Sequence, residues 1–173
     1  MRPTAPDPGD TDAWNAYLAE GNAKQARKRV AADVLLRDPA GRVLLVNPNY
    51  KPDWDLPGGM AEANEAPEEA VERELLEELG LEITLRGLLV VDWVAPHGPW
   101  DDQIAFIFDG GVLSRDQADR LYPRDEELAE VAFVEPEEAR TRLGERVRRR
   151  FTAAMTALTS KCSLYLRDGV PAP

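Results

Sequence analysis

The 173 residues read as an α/β or α+β domain, with strands and helices packed as layers around one core. Three observations predict it. Segments with strand character, such as 29–38 and 103–108, alternate along the chain with segments of helical spacing, such as 67–79 and 145–159. Glycine and proline clusters fall between them, where turns are needed. Hydrophobic residues make up 43% and charged residues 31%, as in a soluble globular protein whose length suits one domain and is short for two.

The elements follow in order. Residues 1–10 hold three prolines and two aspartates and read as disordered. Thr11–Lys28 is helix-like, with Thr11 or Asp12 as a cap and Trp14, Tyr17 and Leu18 at i, i+3 and i+4. A lone helix with an aromatic stripe needs something to pack on. The expectation is its own domain, with a second subunit, hence a homodimer, as the alternative. Arg29–Asp38 is a strand, Pro39–Gly41 a turn and Arg42–Asn47 its hairpin partner. Trp54–Leu56 leads into a Gly58–Gly59 loop. A helix then starts at Pro67, has Glu68 and Glu69 in its first turn, and stops at Gly80. Glu82–Val94 has strand character interrupted at Gly87, and Pro96–Pro99 is a loop. Gln103–Phe108 is a strand, Leu113–Tyr122 contains a short helix, and Glu130–Val134 is a final strand. Pro136–Leu143 and Glu145–Thr159 are helices, and Ser163–Leu166 fits a short strand. The chain thus divides into an extension (1–28), a main domain (29–160) and a tail (161–173).

Charge narrows the partners. A net charge of −11 disfavours binding to nucleic-acid backbone or anionic membrane, without excluding a small phosphorylated substrate. The arginines of Glu145–Phe151 spread around a helix and read as a solvated face beside buried Val147 and Phe151. No apolar run approaches the ~20 residues that span a bilayer. The N-terminus has no apolar signal segment. Cys162 is the sole cysteine, which rules out an internal disulfide, so a cytoplasmic location is the expectation and Cys162 reads as a packed or surface thiol.

The chemistry concentrates in residues 59–81, GMAEANEAPEEAVERELLEELGL. At about 100° per residue, Glu74, Glu77 and Glu78 gather on one helical face, beside an apolar stripe of Val71, Leu75 and Leu79. Crowded carboxylates repel each other, and a hard divalent cation reverses that cost. Mg²⁺ takes oxygen ligands, keeps several waters and is commonly shared with substrate phosphates.

This segment resembles the Nudix box, with every defining position present: Gly59, Glu65, Arg73, Glu74, Glu77, Glu78 and Gly80, with aliphatic Leu75 and Leu81. The preceding WDLPGG is similar to the usual entry strand of that superfamily of hydrolases, and the order of elements from about Val30 to Phe151 is similar too. The resemblance implies an α/β/α sandwich with a mixed β-sheet. It implies a pyrophosphohydrolase dependent on Mg²⁺ or Mn²⁺ that acts on a nucleoside diphosphate linked to a variable group X. Glu77 and Glu78 are then the metal ligands, with the Gly59 carbonyl beside them, and Glu74 a further ligand or the base that takes a proton from water. Glu65 and Arg73 pair to orient the helix, and Gly80 ends it. At i−1 from Glu74, Arg73 is expected to face away from that carboxylate. A further catalytic glutamate from outside the box is sought among Glu126, Glu127 and Glu130, with Glu127 favoured.

Substrate choice lies elsewhere. Pro96 stands 15 residues past Leu81, similar to a proline of ADP-sugar members, so ADP-ribose or a nucleotide sugar is favoured. His97 with Trp93 and Trp100 forms a candidate stacking site for a base. The other reading makes Trp93 core, His97 a solvated loop residue and Trp100 a strand start. A hydrolase of oxidised or noncanonical triphosphates and a non-catalytic nucleotide sensor are the alternatives. The intact carboxylate set speaks against the sensor.

Overall fold

The computed structural model describes residues 5–172; Met1–Thr4 of the expected disordered segment lie outside them. The centre of the fold is β1, Arg29–Arg37, whose residues 31–36 are all buried. A strand covered on both faces reads as an unbroken apolar run, as this one does except at Asp33. One edge of β1 pairs in parallel with β5 (Gln103–Val112). The other edge is shared. β2 (Val43–Pro48) pairs at the hairpin end, Arg37 against Val43, and β3 (Gly58–Met60) pairs antiparallel with Ala31, Ala32 and Asp33. β2 then carries β6 (Leu128–Val134), and β5 carries β4 (Gly87–Val94), both antiparallel. β7 (Leu164–Arg167) lies parallel to β4, and β8 (Val170–Pro171) closes that edge of the eight-stranded mixed sheet.

Alternation along the strands sorts residues to two faces. On one, helix α2 (Pro67–Leu79) buries Ala70, Val71, Leu75 and Leu79 against Ala32, Val34 and Leu36 of β1 and Leu44 and Val46 of β2. On the other, α4 (Pro136–Arg142) and α5 (Glu145–Ser160) bury Ala139, Phe151, Ala154 and Ala157 against Leu35, Val43, Leu45 and Ile107. This is the expected three-layer α/β/α arrangement with a mixed sheet. A five-residue helix, α3 (Arg115–Asp119), joins β5 to β6.

Several expectations are corrected. Helix α1 spans Thr11–Ala23 only, and Asp10 caps it, accepting from Ala13 N at 3.1 Å. It buries no residue, so it does not pack on the core. Its three-residue stripe covers too little apolar area to offset ordering, and Trp14 and Tyr17 lie against each other instead, ring centres 5.8 Å apart. The strand expected over 82–94 begins only at Gly87, and β5 runs on to Val112. The short strand expected over Ser163–Leu166 is present as β7, Leu164–Arg167. The arginine-rich segment is not a solvated face throughout. Arg150 shares the inward side of α5 with Val147, Phe151 and Ala154, is 8% exposed, and has Nη1 3.6 Å from Asp92 Oδ2. Spacing carried the signal: Arg150 stands at i+3 from Val147 and i−4 from Ala154, on the apolar side of the helix, whereas Arg148 and Arg149 do not.

The β1–β2 hairpin is fixed by buried Asp38. Its carboxylate accepts from Ala40 N (2.9 Å), Arg42 N (2.8 Å) and Arg42 Nε (2.7 Å). Burial pushes its pKa up, but the Arg42 side chain and these backbone donors outweigh it, and the net shift is downward. Asp38→Ala should therefore cost about 1–3 kcal/mol in a denaturant melt, the usual range for stranded buried donors. Because the folded pKa is lowered, the Asp38 contribution is complete above the unfolded value near 4 and is lost as pH falls through the folded one. The gap between wild type and Asp38→Asn should close below pH ~4, and a gap constant down to pH 2 would contradict this account.

Candidate active site

Helix α2 begins with Pro67 at its first position, and the Glu69 carboxylate accepts from Ala66 N at 3.1 Å. Gly80 ends it in the left-handed conformation, φ 61°. Arg73, on its exposed edge, binds back onto the loop. Its Nε and Nη2 donate to the two oxygens of Glu65 at 2.8 and 3.0 Å, and Nη2 also donates to the Met60 carbonyl at 3.1 Å. This forked ion pair, with Glu62 N–H, holds the Glu65 carboxyl down at about 2. Arg73 does not face away from Glu74. Nη1 donates to Glu74 Oε1 at 3.0 Å and to Glu77 Oε2 at 3.1 Å. The guanidinium, drawn toward the loop by Glu65 and Met60, carries its third nitrogen across the carboxylate face, a reach that backbone periodicity does not describe.

Glu74 and Glu78 differ from Glu77 in their surroundings. Glu77 is more than half exposed. Burial raises the Glu74 carboxyl above its ordinary range despite Arg73. Burial pushes Glu78 further, to about 8; the Gly58 N–H at 3.4 Å opposes the shift, while Glu74, Asp33 and Asp55 add to it. No lysine or arginine pairs with the Glu78 side chain among the described residues. The Gly58–Gly59 backbone is tied to β1 opposite Asp33 and Ala32. A side chain at Gly59 would not fit, since a Cβ there would lie 2.4 Å from Glu74 Oε1.

The sequence reading missed Asp33 and Asp55. Asp33 is 8% exposed on the central strand, and burial, then the Asp55 charge, pushes it up to about 7 against the pull of Arg150 and Lys51. Asp55 is paired with Lys51. A single acid inside the apolar run VAADVLL is the signal that could have flagged Asp33.

Of the outside glutamates, Glu126 and Glu127 sit on the turn leading into β6, and Glu130 lies within β6 opposite Asn47. Asn49 holds that turn: its N–H donates to the Glu127 carbonyl at 2.7 Å, and its Nδ2 to the Glu126 carbonyl at 2.6 Å. Arg124 N, three residues before Glu127, donates to the Glu78 carbonyl at 2.7 Å, which brings this turn to the Glu78 end of α2.

The aromatic loop is divided. Trp93 is half-buried on β4, with Nε1 donating to Asp102 at 3.1 Å. His97 and Trp100 close a tight hairpin through two 3.0 Å backbone bonds. Trp100 is 54% exposed, with the Arg29 guanidinium 4.5 Å from its ring centre. Arg29 in turn reaches Met60 Sδ at 3.9 Å, so the stack borders the loop that carries Gly59. A surface cavity of about 600 Å³ beside Arg86 and Gln117 holds none of these carboxylates.

Among the described residues, no three acidic, histidine or cysteine side chains are grouped closely enough to hold a cation by themselves. The set is open: two half-buried carboxylates, Glu74 and Glu78, with Glu77 at the rim and the Gly59 backbone packed close to Glu74. Hard oxygen donors in this number suit Mg²⁺, which fills its remaining positions with water and phosphate oxygens. The uncompensated burial of Glu78 is what such a cation would relieve.

Fold and carboxylate set together define an α/β/α protein that gathers acidic side chains of one helix beside a glycine strand paired to the middle of the central strand. The NUDIX domain family model matches residues 27–155, and the chain belongs to that family. The 8-oxo-dGTP diphosphatase of Proteus vulgaris is 53% identical over 46 residues, 27% of this chain. The matched segments span only 36% and 39% of the two sequence relatives. A UDP-X diphosphatase structure superposes with TM-score 0.68 at 19% identity, over 91% of this chain and 75% of that one. An ADP-ribose pyrophosphatase from Streptococcus suis 89-1591 gives 0.59 at 18% identity, over 82% and 99%. At these identities the structures support the fold.

Two outcomes are expected. Metal-free Glu78→Gln should melt above metal-free wild type, because it removes a half-buried charge beside Glu74, Asp33 and Asp55. Mg²⁺ should raise the wild-type melting temperature and leave that of the variant unmoved. Glu65→Ala, which frees Arg73, should lower the melting temperature yet retain metal binding within about tenfold; complete loss of metal, measured by titration calorimetry, would show that Glu65 itself binds it.

Proposed function

We propose that this chain is a metal-dependent pyrophosphohydrolase that cleaves a phosphoanhydride in a nucleoside diphosphate linked to a second group, ADP-ribose or a nucleotide sugar being the favoured substrate. The observation that carries the reading is Glu78, a half-buried carboxylate without a cationic partner among the described residues, facing the Gly58 N–H at 3.4 Å with the Glu74 charge nearby. Glu77, Glu78, Glu74 and the Gly59 carbonyl would hold Mg²⁺ or Mn²⁺. When bound, the ion neutralises phosphate charge and lowers the pKa of a water. The protein's own work is positioning. Arg73 fixes Glu74 and Glu77 relative to the loop. Glu74 or Glu127 accepts the proton of the attacking water, and the Arg29–Trp100 stack takes the base or terminal group.

The family membership and the names of the structural neighbours support this class. A second reading, removal of oxidised nucleoside triphosphates, is favoured by the Proteus vulgaris relative.

A panel of ADP-ribose, other nucleoside diphosphate sugars, dinucleoside polyphosphates, and ordinary and oxidised triphosphates, with Mg²⁺ and then Mn²⁺, separates the two by product chromatography. Glu78→Gln should lower turnover by orders of magnitude with the fold retained, and near-normal turnover at saturating Mg²⁺ would overturn the assignment. Trp100→Ala should raise KM for the preferred diphosphate substrate by about tenfold, the scale of one lost base stack, with kcat little changed.

A further inference from the structure

Helix α2 ends in a way its own sequence leaves incomplete. Its last turn carries Glu77 and Glu78 and no basic residue, although the negative end of a helix favours cations. Its last carbonyls also need donors. Gly80 N and Leu81 N satisfy those of Leu75 and Leu76. The Glu78 carbonyl is met from far along the chain, by Arg124 N at 2.7 Å. The Arg124 guanidinium then lies flat on Gly80: a Cβ there would fall 2.0 Å from Arg124 Cζ and 2.2 Å from Nη1. The ring of Tyr122 lies on Arg124 as well, 5.5 Å from Cζ to its centre. Arg124 supplies from another segment the cation that the helix terminus lacks.

The same segment carries Glu127. Asp125 Oδ1 accepts from Glu127 N at 2.8 Å, and Asn49 holds the Glu126 and Glu127 carbonyls from β2. The turn is therefore pinned at both ends, to β2 by Asn49 and to α2 by Arg124. We propose that Arg124 is a positioning residue that locks the Glu127 turn onto the last turn of α2, holding Glu127 beside the cation site to which Glu78 belongs. The proposal rests on the metal-dependent reading above. It also assigns Gly80 a second duty beyond its left-handed backbone, that of leaving room for a guanidinium.

The test compares wild type, Arg124→Ala, Arg124→Gln, Glu127→Gln and the Arg124→Ala/Glu127→Gln double variant. Mn²⁺ affinity is measured without substrate by electron paramagnetic resonance, beside melting temperature, kcat and KM. Arg124→Ala should weaken Mn²⁺ binding and lower kcat by about tenfold or more, with KM little changed, as expected for a residue that orients ligands. The double variant should lose little beyond Glu127→Gln, because the two act as one unit. If Arg124→Ala does not fold, Arg124→Gln, which keeps most of the stem and drops the charge, decides on the same readouts. A lower melting temperature with Mn²⁺ affinity and kcat intact, or losses that multiply in the double variant, would overturn the proposal. If wild type turns over no compound of the panel, the functional reading fails by itself, and the Mn²⁺ affinities still decide the role of Arg124.

Discussion

The structure around the site depends on one electrostatic problem: Glu74, Glu77 and Glu78 share a helical face at the end of a largely apolar core. Arg73 manages half of it. A single guanidinium ties Glu65 and the Met60 carbonyl on one side to Glu74 and Glu77 on the other, so loop and helix become one body. Glu78 is left out of that network and is half-buried with like charges nearby. Such a residue lowers the stability of the metal-free fold, a cost that proteins retain at functional sites when a ligand offsets it.

The sheet supplies the place where this happens. β1 gives one part of its edge to β2 and another to β3, and the short Gly58–Met60 strand is held against Ala31, Ala32 and Asp33. Helix α2 then returns over β1 and seats Val71 and Leu75 beneath the loop it follows. Gly59 lets backbone and Glu74 approach to a distance that a side chain would forbid. The hydrophobic face of α2 and its acidic face thus serve one end, since burial of the first fixes the second over the loop.

Residues far apart in the chain complete the surroundings. Arg124 meets Glu78 and Gly80, Asn49 holds the Glu127 turn, and Arg29 lies over Trp100 beside Met60. Each joins elements separated by dozens of residues, and none falls in a recognisable spacing. Arg150 illustrates a related limit: of the six arginines within residues 140–150, helical spacing aligns Arg150 with Val147 and Phe151, but only packing on the sheet brings it beside Asp92.

The pairing of Glu65 with Arg73 was implied only by the resemblance to the Nudix box, whereas the sequence by itself determined the alternation of strands and helices, the boundaries of α2 and the gathering of its glutamates. These depend on local periodicity, caps and turn residues, which act over a few positions. It also marked the tail segment 163–166 as a strand without saying where it pairs. Tertiary structure alone decided that β7 lies along β4, that α1 stays off the core, and that Arg73 crosses to Glu74. It alone brought Asp33, Asp55, Asn49 and Arg124 to the carboxylates. The physical reason is that burial and long side-chain reach are set by what packs nearby in space, and those neighbours are distant in the chain.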